Sequence, residues 1–149
     1  MPETVAPAVS FGSERYVSPA LSGTVVFDYS NNNGRYIVGA GDMAFETDWS
    51  AAGAASIHAY SDPPSIRFIA LAVGVQEICE IDDASVFDTS SRSRSPQLGE
   101  IVIWQNTAGY YLATKIVRIQ IRGGAGQSGE LEFAYVIQSN RSSTFCERP

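Results

Sequence analysis

The chain has 149 residues, of which 44% are hydrophobic and 17% charged, a composition that suits one folded domain and excludes a chain that is disordered throughout. The formal net charge of -6, with Lys115 as the one lysine, argues against sequence-independent nucleic-acid binding, because such binding depends on neutralising phosphates with Lys and Arg. No window is long and apolar enough to span a bilayer, and the N-terminal residues lack the pattern of a secretory signal. We therefore predict a soluble, cytoplasmic protein with no membrane partner.

Residues 1–22 contain three prolines and no clear periodicity, which predicts an extended N-terminal arm rather than a helix. This arm could cover the edge of a sheet or pair with another copy of the chain. Runs of β-branched and aromatic residues separated by turn formers predict a β domain over residues 23–139. Residues 140–149 are predicted to form a C-terminal tail.

The β domain opens with a predicted hairpin. Residues 24–30 and 35–39 both have strand patterns, and Asn33-Gly34 between them supplies the positive φ that a tight turn needs. Further strands are predicted in the segments that follow, at residues 43–49, 56–60, 66–72 and 75–81. The run 82–98 is rich in Ser, Asp and Arg, and it predicts a mobile loop.

The last part of the domain predicts a long hairpin that forms its spine. Residues 99–105 predict a strand, and the runs 110–122 and 130–138 predict two long antiparallel strands. The apolar parity changes where Ile116 and Val117 stand side by side, which predicts a β-bulge at that point. The fold class predicted from the whole pattern is all-β, a single antiparallel barrel or sandwich of about nine strands.

Five residues are predicted to line a ligand-binding rim: Glu46, Trp49, His58, Tyr60 and Trp104. An aromatic ring with a polar tip near a strand end can stack on a ligand or on a partner side chain, and burial in the core is the alternative for each ring. His58 is the only histidine, and strand alternation places it on the same face as Tyr60.

Motifs for catalysis or metal binding are not found. There is no Gly-x-Ser-x-Gly elbow, the Gly-x-Gly at residues 39–41 lacks the third glycine and the helix of a dinucleotide site, and no calcium loop is present. One histidine and two cysteines do not give the ligand spacing of a zinc site. We predict no catalytic residue, no metal and no cofactor, with Cys79 a buried, reduced thiol in a strand and Cys146 reduced as well.

Several segments together resemble a small bacterial β-rich domain that accompanies Toll/interleukin-1 receptor (TIR) domain proteins. The segments that carry the resemblance are GEIVIWQN at 99–106, GYYLATKI at 109–116, LEFAYVIQ at 131–138, FDYSNNNGRY at 27–36, FETDWS at 45–50 and SIHAY at 56–60. The resemblance implies an accessory recognition module in a bacterial defence or signalling system, in which NAD cleavage would belong to the neighbouring protein. The chain carries no TIR segment, so no catalytic residue is transferred.

These patterns lead to three hypotheses about function. The first is a non-enzymatic binding or assembly module that recognises a small-molecule ligand or a protein partner through the predicted rim. The second is a hydrolase or lyase that uses His58 as a base with a carboxylate such as Glu46, which requires the two groups to meet in a concave pocket. The third is a self-assembling homo-oligomer in which sheet edges and tails pack against identical chains.

Overall fold

The computed structural model describes residues 16–30, 32–53, 55–121 and 129–145. Within these ranges the strands are β1 (Val17–Ser18), β2 (Ser22–Asp28), β3 (Arg35–Val38), β4 (Phe45–Ala51), β5 (Ile57–Tyr60), β6 (Ile66–Leu71), β7 (Ser93–Arg94), β8 (Ile101–Asn106), β9 (Tyr111–Ile121) and β10 (Gly129–Gln138). Short 3-10 helices lie at Asn32–Gly34, Gly41–Met43, Ile78–Glu80 and Ala84–Val86. The described residues contain no helix long and apolar enough to cross a membrane.

The strands form two five-stranded sheets. Sheet I has the order β1-β3-β4-β5-β7, and sheet II has the order β2-β10-β9-β8-β6. The short β1 runs parallel to β3, and the other strand pairs of the described ranges are antiparallel. The all-β prediction is therefore confirmed. Neither sheet closes on itself in the described ranges, so these strands do not form a closed barrel, which was one of the two architectures predicted from the sequence.

The inner faces of the two sheets share one aromatic core. Trp49 of sheet I lies 5.3 Å from Trp104 and 5.2 Å from Phe133 of sheet II, measured between ring centroids. Phe27 of sheet II lies 5.0 Å from Tyr36 of sheet I. All five side chains are buried. Because large rings from both sheets interlock, each sheet stabilises the other through removal of apolar area from water.

Around β8, sheet II is buried on its second face as well. Ile101 and Ile103 of β8 point away from the shared core and pack with the buried side chains of Ile81 and Phe145. We name the residues that contribute these side chains, 72–87 and 139–145, the outer cover. A strand covered on both faces has no polar side to show, which explains why β8 reads as the continuous apolar run Ile-Val-Ile-Trp.

The predicted C-terminal hairpin and its bulge are both confirmed. Strands β9 and β10 pair antiparallel, and the register shifts where Arg118 pairs with Glu132 while Ile116 pairs with Phe133. Val117 is the extra residue, and its side chain is 47% exposed. The bulge changes the spacing of core-facing residues in β9 from two to three, so that Ile116 and Ile119 both face the shared core.

The predicted hairpin around Asn33-Gly34 is wrong. Strand β2 pairs with β10 in sheet II, whereas β3 pairs with β4 in sheet I, so the connection carries the chain from one sheet to the other. The positive φ values expected of the turn are present, at 56° for Asn33 and 74° for Gly34. Local turn chemistry sets the bend, but it does not decide which strands become neighbours.

The strand predicted over residues 75–81 is also wrong. This segment contains the 3-10 helix Ile78–Glu80, in which the Glu80 carboxylate accepts the backbone N–H of Gln76 (2.9 Å) and of Glu77 (3.2 Å). Such side-chain contacts satisfy backbone donors locally and compete with pairing in a sheet. The predicted loop 82–98 likewise contains a 3-10 turn, Ala84–Val86, and the short strand β7.

The predictions for Cys79 are wrong as well. Cys79 lies in the 3-10 helix with an exposed side chain, and it forms a disulfide bond. Cys146 lies outside the described residues. The predicted strand alternation could not place Cys79, because the segment around it does not follow the two-residue period.

The described end of the N-terminal arm is attached to both sheets. The backbone N–H of Ile37 donates to the Tyr16 carbonyl (3.0 Å), and that of Gly39 donates to the Ser18 carbonyl (2.9 Å), which covers the edge of β3. The Tyr135 hydroxyl of sheet II donates to the Ala20 carbonyl (2.9 Å). Residues 1–15 lie outside the described ranges.

The buried phenol of Tyr135 gives a pH-dependent prediction. Burial, with a smaller contribution from Tyr36, raises its pKa from 10.0 to about 12. The unfolded chain loses this proton near pH 10, whereas the folded chain holds it. The stabilisation is therefore complete below pH 10 and is lost progressively between pH 10 and about pH 12. We expect the free energy of unfolding to fall by roughly 2 to 3 kcal/mol more for the wild type than for Tyr135→Phe over this interval. Urea unfolding at a series of pH values measures it, and identical pH dependence of the two proteins would contradict it.

Candidate binding surface

The outer face of sheet I carries a polar surface that the sequence predicted only in part. We name it the open face and define it by Arg35, Glu46, Asp48, Ser50, His58, Tyr60 and Ser95. Alternation along β4 produces it: Phe45, Thr47 and Trp49 point into the core, so the residues between them point outward. In β5, Ile57 and Ala59 are buried and the residues that alternate with them face outward.

One end of the open face is a group of hydroxyls around an imidazole. The Ser50 hydroxyl lies 2.8 Å from the Tyr60 hydroxyl, and His58 Nδ1 lies 2.7 Å from Ser95 Oγ. The His58 and Tyr60 rings are 6.2 Å apart. Hydroxyls and a neutral imidazole both donate and accept hydrogen bonds, so this end can adapt to a polar partner of either kind.

The other end of the open face is charged. Arg35 Nη1 lies 3.0 Å from Glu46 Oε2, and Arg35 Nε lies 3.4 Å from Asp48 Oδ1. The Asp48 side chain is only 10% exposed. Burial raises the pKa of Asp48, and the nearby carboxylates Asp62 and Glu46 raise it further, although Arg35 opposes the shift. A carboxyl group whose pKa is raised by burial, although an arginine lies beside it, is a feature found at functional sites.

Tyr60 connects the hydroxyl end of the open face to Arg92 at its margin. The Arg92 guanidinium lies over the Tyr60 ring, with its carbon 5.6 Å from the ring centroid, and Arg92 Nε contacts Asp62 Oδ1 at 2.8 Å. The interaction of the cation with the ring restricts the orientation of both side chains. Tyr60 is therefore a fixed aromatic element on an otherwise hydrogen-bonding surface.

A cleft of about 240 Å³ adjoins the charged end of the open face. Glu46 belongs to both, and Asp42, Ser65 and Asn106 contribute polar groups to the cleft wall. Sequence reasoning missed Asp42 and also missed Arg35, Asp48, Ser50 and Ser95. The alternation of Glu46, Asp48 and Ser50 in a strand whose other residues are apolar was the signal that could have found two of these.

Trp49 and Trp104, predicted for the binding rim, lie in the core instead. Their side chains are 1% and 0% exposed, so neither can contact a ligand in this fold. Each indole N–H has a buried threonine as its acceptor: Trp49 donates to Thr47 Oγ1 (2.8 Å), and Trp104 donates to Thr114 Oγ1 (3.0 Å). These hydrogen bonds allow the core to hold both rings without an unpaired donor.

The threonine beneath Trp49 gives a stability prediction. Thr47 Oγ1 also donates to the Tyr36 carbonyl (2.6 Å), so Thr47→Val removes two hydrogen bonds and leaves the Trp49 N–H unpaired at nearly constant volume. We expect a loss of about 1 to 3 kcal/mol in the free energy of unfolding. The control is Thr89→Val at an exposed position, for which we expect a change within about 0.5 kcal/mol. Equal effects in chemical denaturation would show that the buried hydroxyl is not required.

The remaining three predicted residues, Glu46, His58 and Tyr60, all lie on the open face. Glu46 pairs with Arg35, and the partner of His58 is the Ser95 hydroxyl, so the structure does not show the histidine-carboxylate pair that the hydrolase hypothesis requires. Among the described residues, no group of three or more His, Cys, Asp or Glu side chains is arranged to hold a metal ion.

A comparison of the chain with protein-family models, with curated proteins and with solved structures finds no match. The fold itself places the chain in the class of all-β proteins, with two five-stranded sheets.

Proposed function

We propose that this protein is a β-sandwich binding module that recognises a small polar ligand or a protein partner through the open face of sheet I. The observation that carries the proposal is the difference between the outer faces of the two sheets. The outer cover buries the outer face of sheet II around β8 and the start of β9, whereas the open face of sheet I presents partly exposed polar or charged side chains along β3, β4 and β5.

The chemistry of the open face supports a polar partner rather than an apolar one. Arg35 can offer N–H groups, Asp48 and Glu46 can accept hydrogen bonds, and the Tyr60 and Ser50 hydroxyls can do both. A site of this kind gains specificity from convergent polar groups, while the Tyr60 ring supplies a rigid surface for stacking. A ligand that has hydrogen-bond donors and an electron-poor planar ring would use the carboxylates, the hydroxyls and the Tyr60 ring together.

The bacterial accessory role beside a TIR-domain protein remains part of the proposal. Its support is the resemblance of segments such as residues 99–106 and 131–138, which form β8 and most of β10. In that role the open face would hold the partner or its ligand, and any covalent chemistry would belong to the partner.

Native mass spectrometry of the protein purified from its own host under gentle conditions tests the proposal. We expect the wild type to carry an added small molecule or a second protein, and the double variant His58→Ala/Tyr60→Ala to lose it. The matched control, Arg67→Ala/Gln120→Ala, changes exposed residues of sheet II and should keep the bound species.

The outcomes separate the hypotheses. A species bound equally by the open-face variant and the control would overturn the open face as the site. A bare homo-oligomer that survives both sets of substitutions would support self-assembly instead. Circular dichroism of each variant confirms that the fold is intact before binding is compared.

A further inference from the structure

A groove, separate from the cleft beside the open face, lies on the outer side of sheet II at the border of the outer cover. Its volume of about 480 Å³ falls within the range of about 300 to 1,000 Å³ that is typical of ligand sites. One wall is the cover segment 74–77, the other is the segment 98–100 before β8, and Lys115 of β9 completes the lining. Because Lys115 pairs with Ile101, which faces the outer cover, the groove and the open face lie on opposite sides of the shared core.

Hydrogen bonds within each wall fix the shape of the groove. In the first wall, the Glu80 carboxylate accepts two backbone N–H groups of the segment. In the second wall, the N–H of Gly99 donates to the Ile116 carbonyl (2.8 Å), and Glu100 Oε1 accepts the N–H of Gln97 (2.8 Å). A groove whose walls are fixed before binding loses little conformational entropy when a ligand enters it.

Apolar side chains that the fold leaves in water border the groove. Val73, next to the first wall, is 71% exposed, and Leu98 in the second wall is 47% exposed. Val117 is also 47% exposed, and it follows Ile116, whose carbonyl holds the second wall in place. The β-bulge turns Val117 outward, and bulges of this kind redirect side chains and are common beside functional sites. Exposed apolar groups gathered around a preformed groove are a feature of interaction surfaces.

The charged groups that line the groove carry a net negative charge. Glu77 and Glu100 contribute one carboxylate to each wall, whereas Lys115 is the one cation among the lining residues. Lys115 Nζ contacts Glu77 Oε1 at 3.1 Å, and Glu100 Oε1 holds a backbone N–H at 2.8 Å. A carboxylate has two oxygens that together accept about four hydrogen bonds, so both glutamates can accept further donors. The groove therefore complements a positive charge that has apolar groups around it.

We propose that this groove binds an extended peptide segment of a partner protein in which one lysine or arginine stands between aliphatic residues. The basic side chain enters between the walls and donates to the carboxylates of Glu77 and Glu100, while its apolar stem packs on Leu98. The aliphatic neighbours pack on Val73 and Val117, which lie outside the groove lining and therefore beyond the reach of a small amine. The proposal is independent of what the open face binds.

NMR titration of the full chain with the peptide acetyl-Leu-Ala-Lys-Ala-Leu-amide tests the proposal. We expect the amide signals of residues 73–77 and 98–100 to shift, while those of β4 and β5 on the open face stay unchanged. The same peptide with glutamate in place of lysine should bind at least about 10-fold more weakly, because it brings a like charge to Glu77 and Glu100. Binding of the lysine peptide should also weaken as the NaCl concentration rises, because the Glu77 side chain is 67% exposed and its interactions are screened.

Two charge substitutions in the groove separate recognition from a structural role. Glu100→Gln keeps an acceptor for the N–H of Gln97 but removes the charge, so we expect about 5-fold weaker binding of the lysine peptide. Lys115→Met removes the competing cation and should strengthen that binding about 5-fold, a gain that damage to the fold would not produce. The matched control is Glu132→Gln, which pairs with Arg118 outside the groove and should change the affinity by less than a factor of about 2.

Several results would overturn the proposal. Signals that shift only in sheet I would show that the groove is not the site. Equal affinity for the lysine and glutamate peptides, no binding of the lysine peptide at millimolar concentration, or unchanged affinity in both groove variants would each contradict the role of the carboxylates. Binding of n-butylamine as tight as that of the lysine peptide would show that the groove takes a small cation and not a peptide.

Discussion

Replacement of Gly34 by alanine is expected to cost about 4 kcal/mol or more of folding free energy. Gly34 has a φ of +74°, which L-residues adopt only with strain, and an added Cβ would lie 1.9 Å from the Trp49 carbonyl oxygen. That oxygen belongs to the backbone of β4, so relief would require the strand or the connection to move. Chemical denaturation measures the loss, and a variant that does not fold at all agrees with it.

Gly74→Ala is the matched control for this substitution. Gly74 has a similar φ of +84°, but its added Cβ would meet no atom within 4 Å. It therefore reports the conformational strain alone, which we expect to be about 1 to 2 kcal/mol. If both variants lost the same stability, the close approach of Gly34 to β4 would not be the cause.

Asn106→Ala is expected to destabilise the protein by about 3 kcal/mol, because one buried amide connects the two sheets. Asn106 lies at the end of β8 in sheet II, and its Nδ2 donates to the carbonyls of Asp42 (2.9 Å) and Ala44 (3.0 Å) between β3 and β4 of sheet I. Its Oδ1 accepts the N–H of Tyr110 (3.0 Å). Alanine leaves all three backbone groups without this partner.

Asn106→Asp distinguishes the donor role from the acceptor role. The carboxylate keeps an acceptor for Tyr110 but turns a second oxygen toward two carbonyls, so its folded pKa should be raised. Stability should then recover as the pH falls and the carboxyl regains a proton that it can donate, and it should decline as the pH rises.

Gln105→Ala in the same strand is the control for Asn106→Ala, because the Gln105 amide makes one long hydrogen bond, of 3.4 Å, to the Gly109 carbonyl. We expect this substitution to cost less than about 1 kcal/mol in the free energy of unfolding. Equal losses for the two alanine variants in urea unfolding would contradict the proposed role of Asn106.

The sequence predicted the elements whose pattern is local. Alternation identified β4, β5 and β10, and the parity change located the bulge at Val117, because each depends on neighbours in one strand. The pairing of β2 with β10 joins distant segments and could not be deduced from the Asn33-Gly34 turn. The outer cover was missed because its residues follow neither the strand nor the helix period.

The candidate site was predictable to the same extent. Alternation correctly placed His58 and Tyr60 on one face, and the same rule puts Trp49 on the core side with Phe45. Trp104 gave no such signal, because β8 is buried on both faces and its pattern does not alternate. The contacts of Arg35 with Glu46 and Asp48 depend on which strands pair, which single-strand patterns do not contain.

The unequal covering of the two sheets has a consequence for how this fold could diversify. Substitutions in β8 and the start of β9 meet packed neighbours on either side, so most of them carry a stability cost. The outward side chains of sheet I are hardly involved in that packing, so they can be exchanged while the molecule stays folded. Descendants of one ancestral chain could therefore acquire different specificities on sheet I while retaining a nearly constant interior.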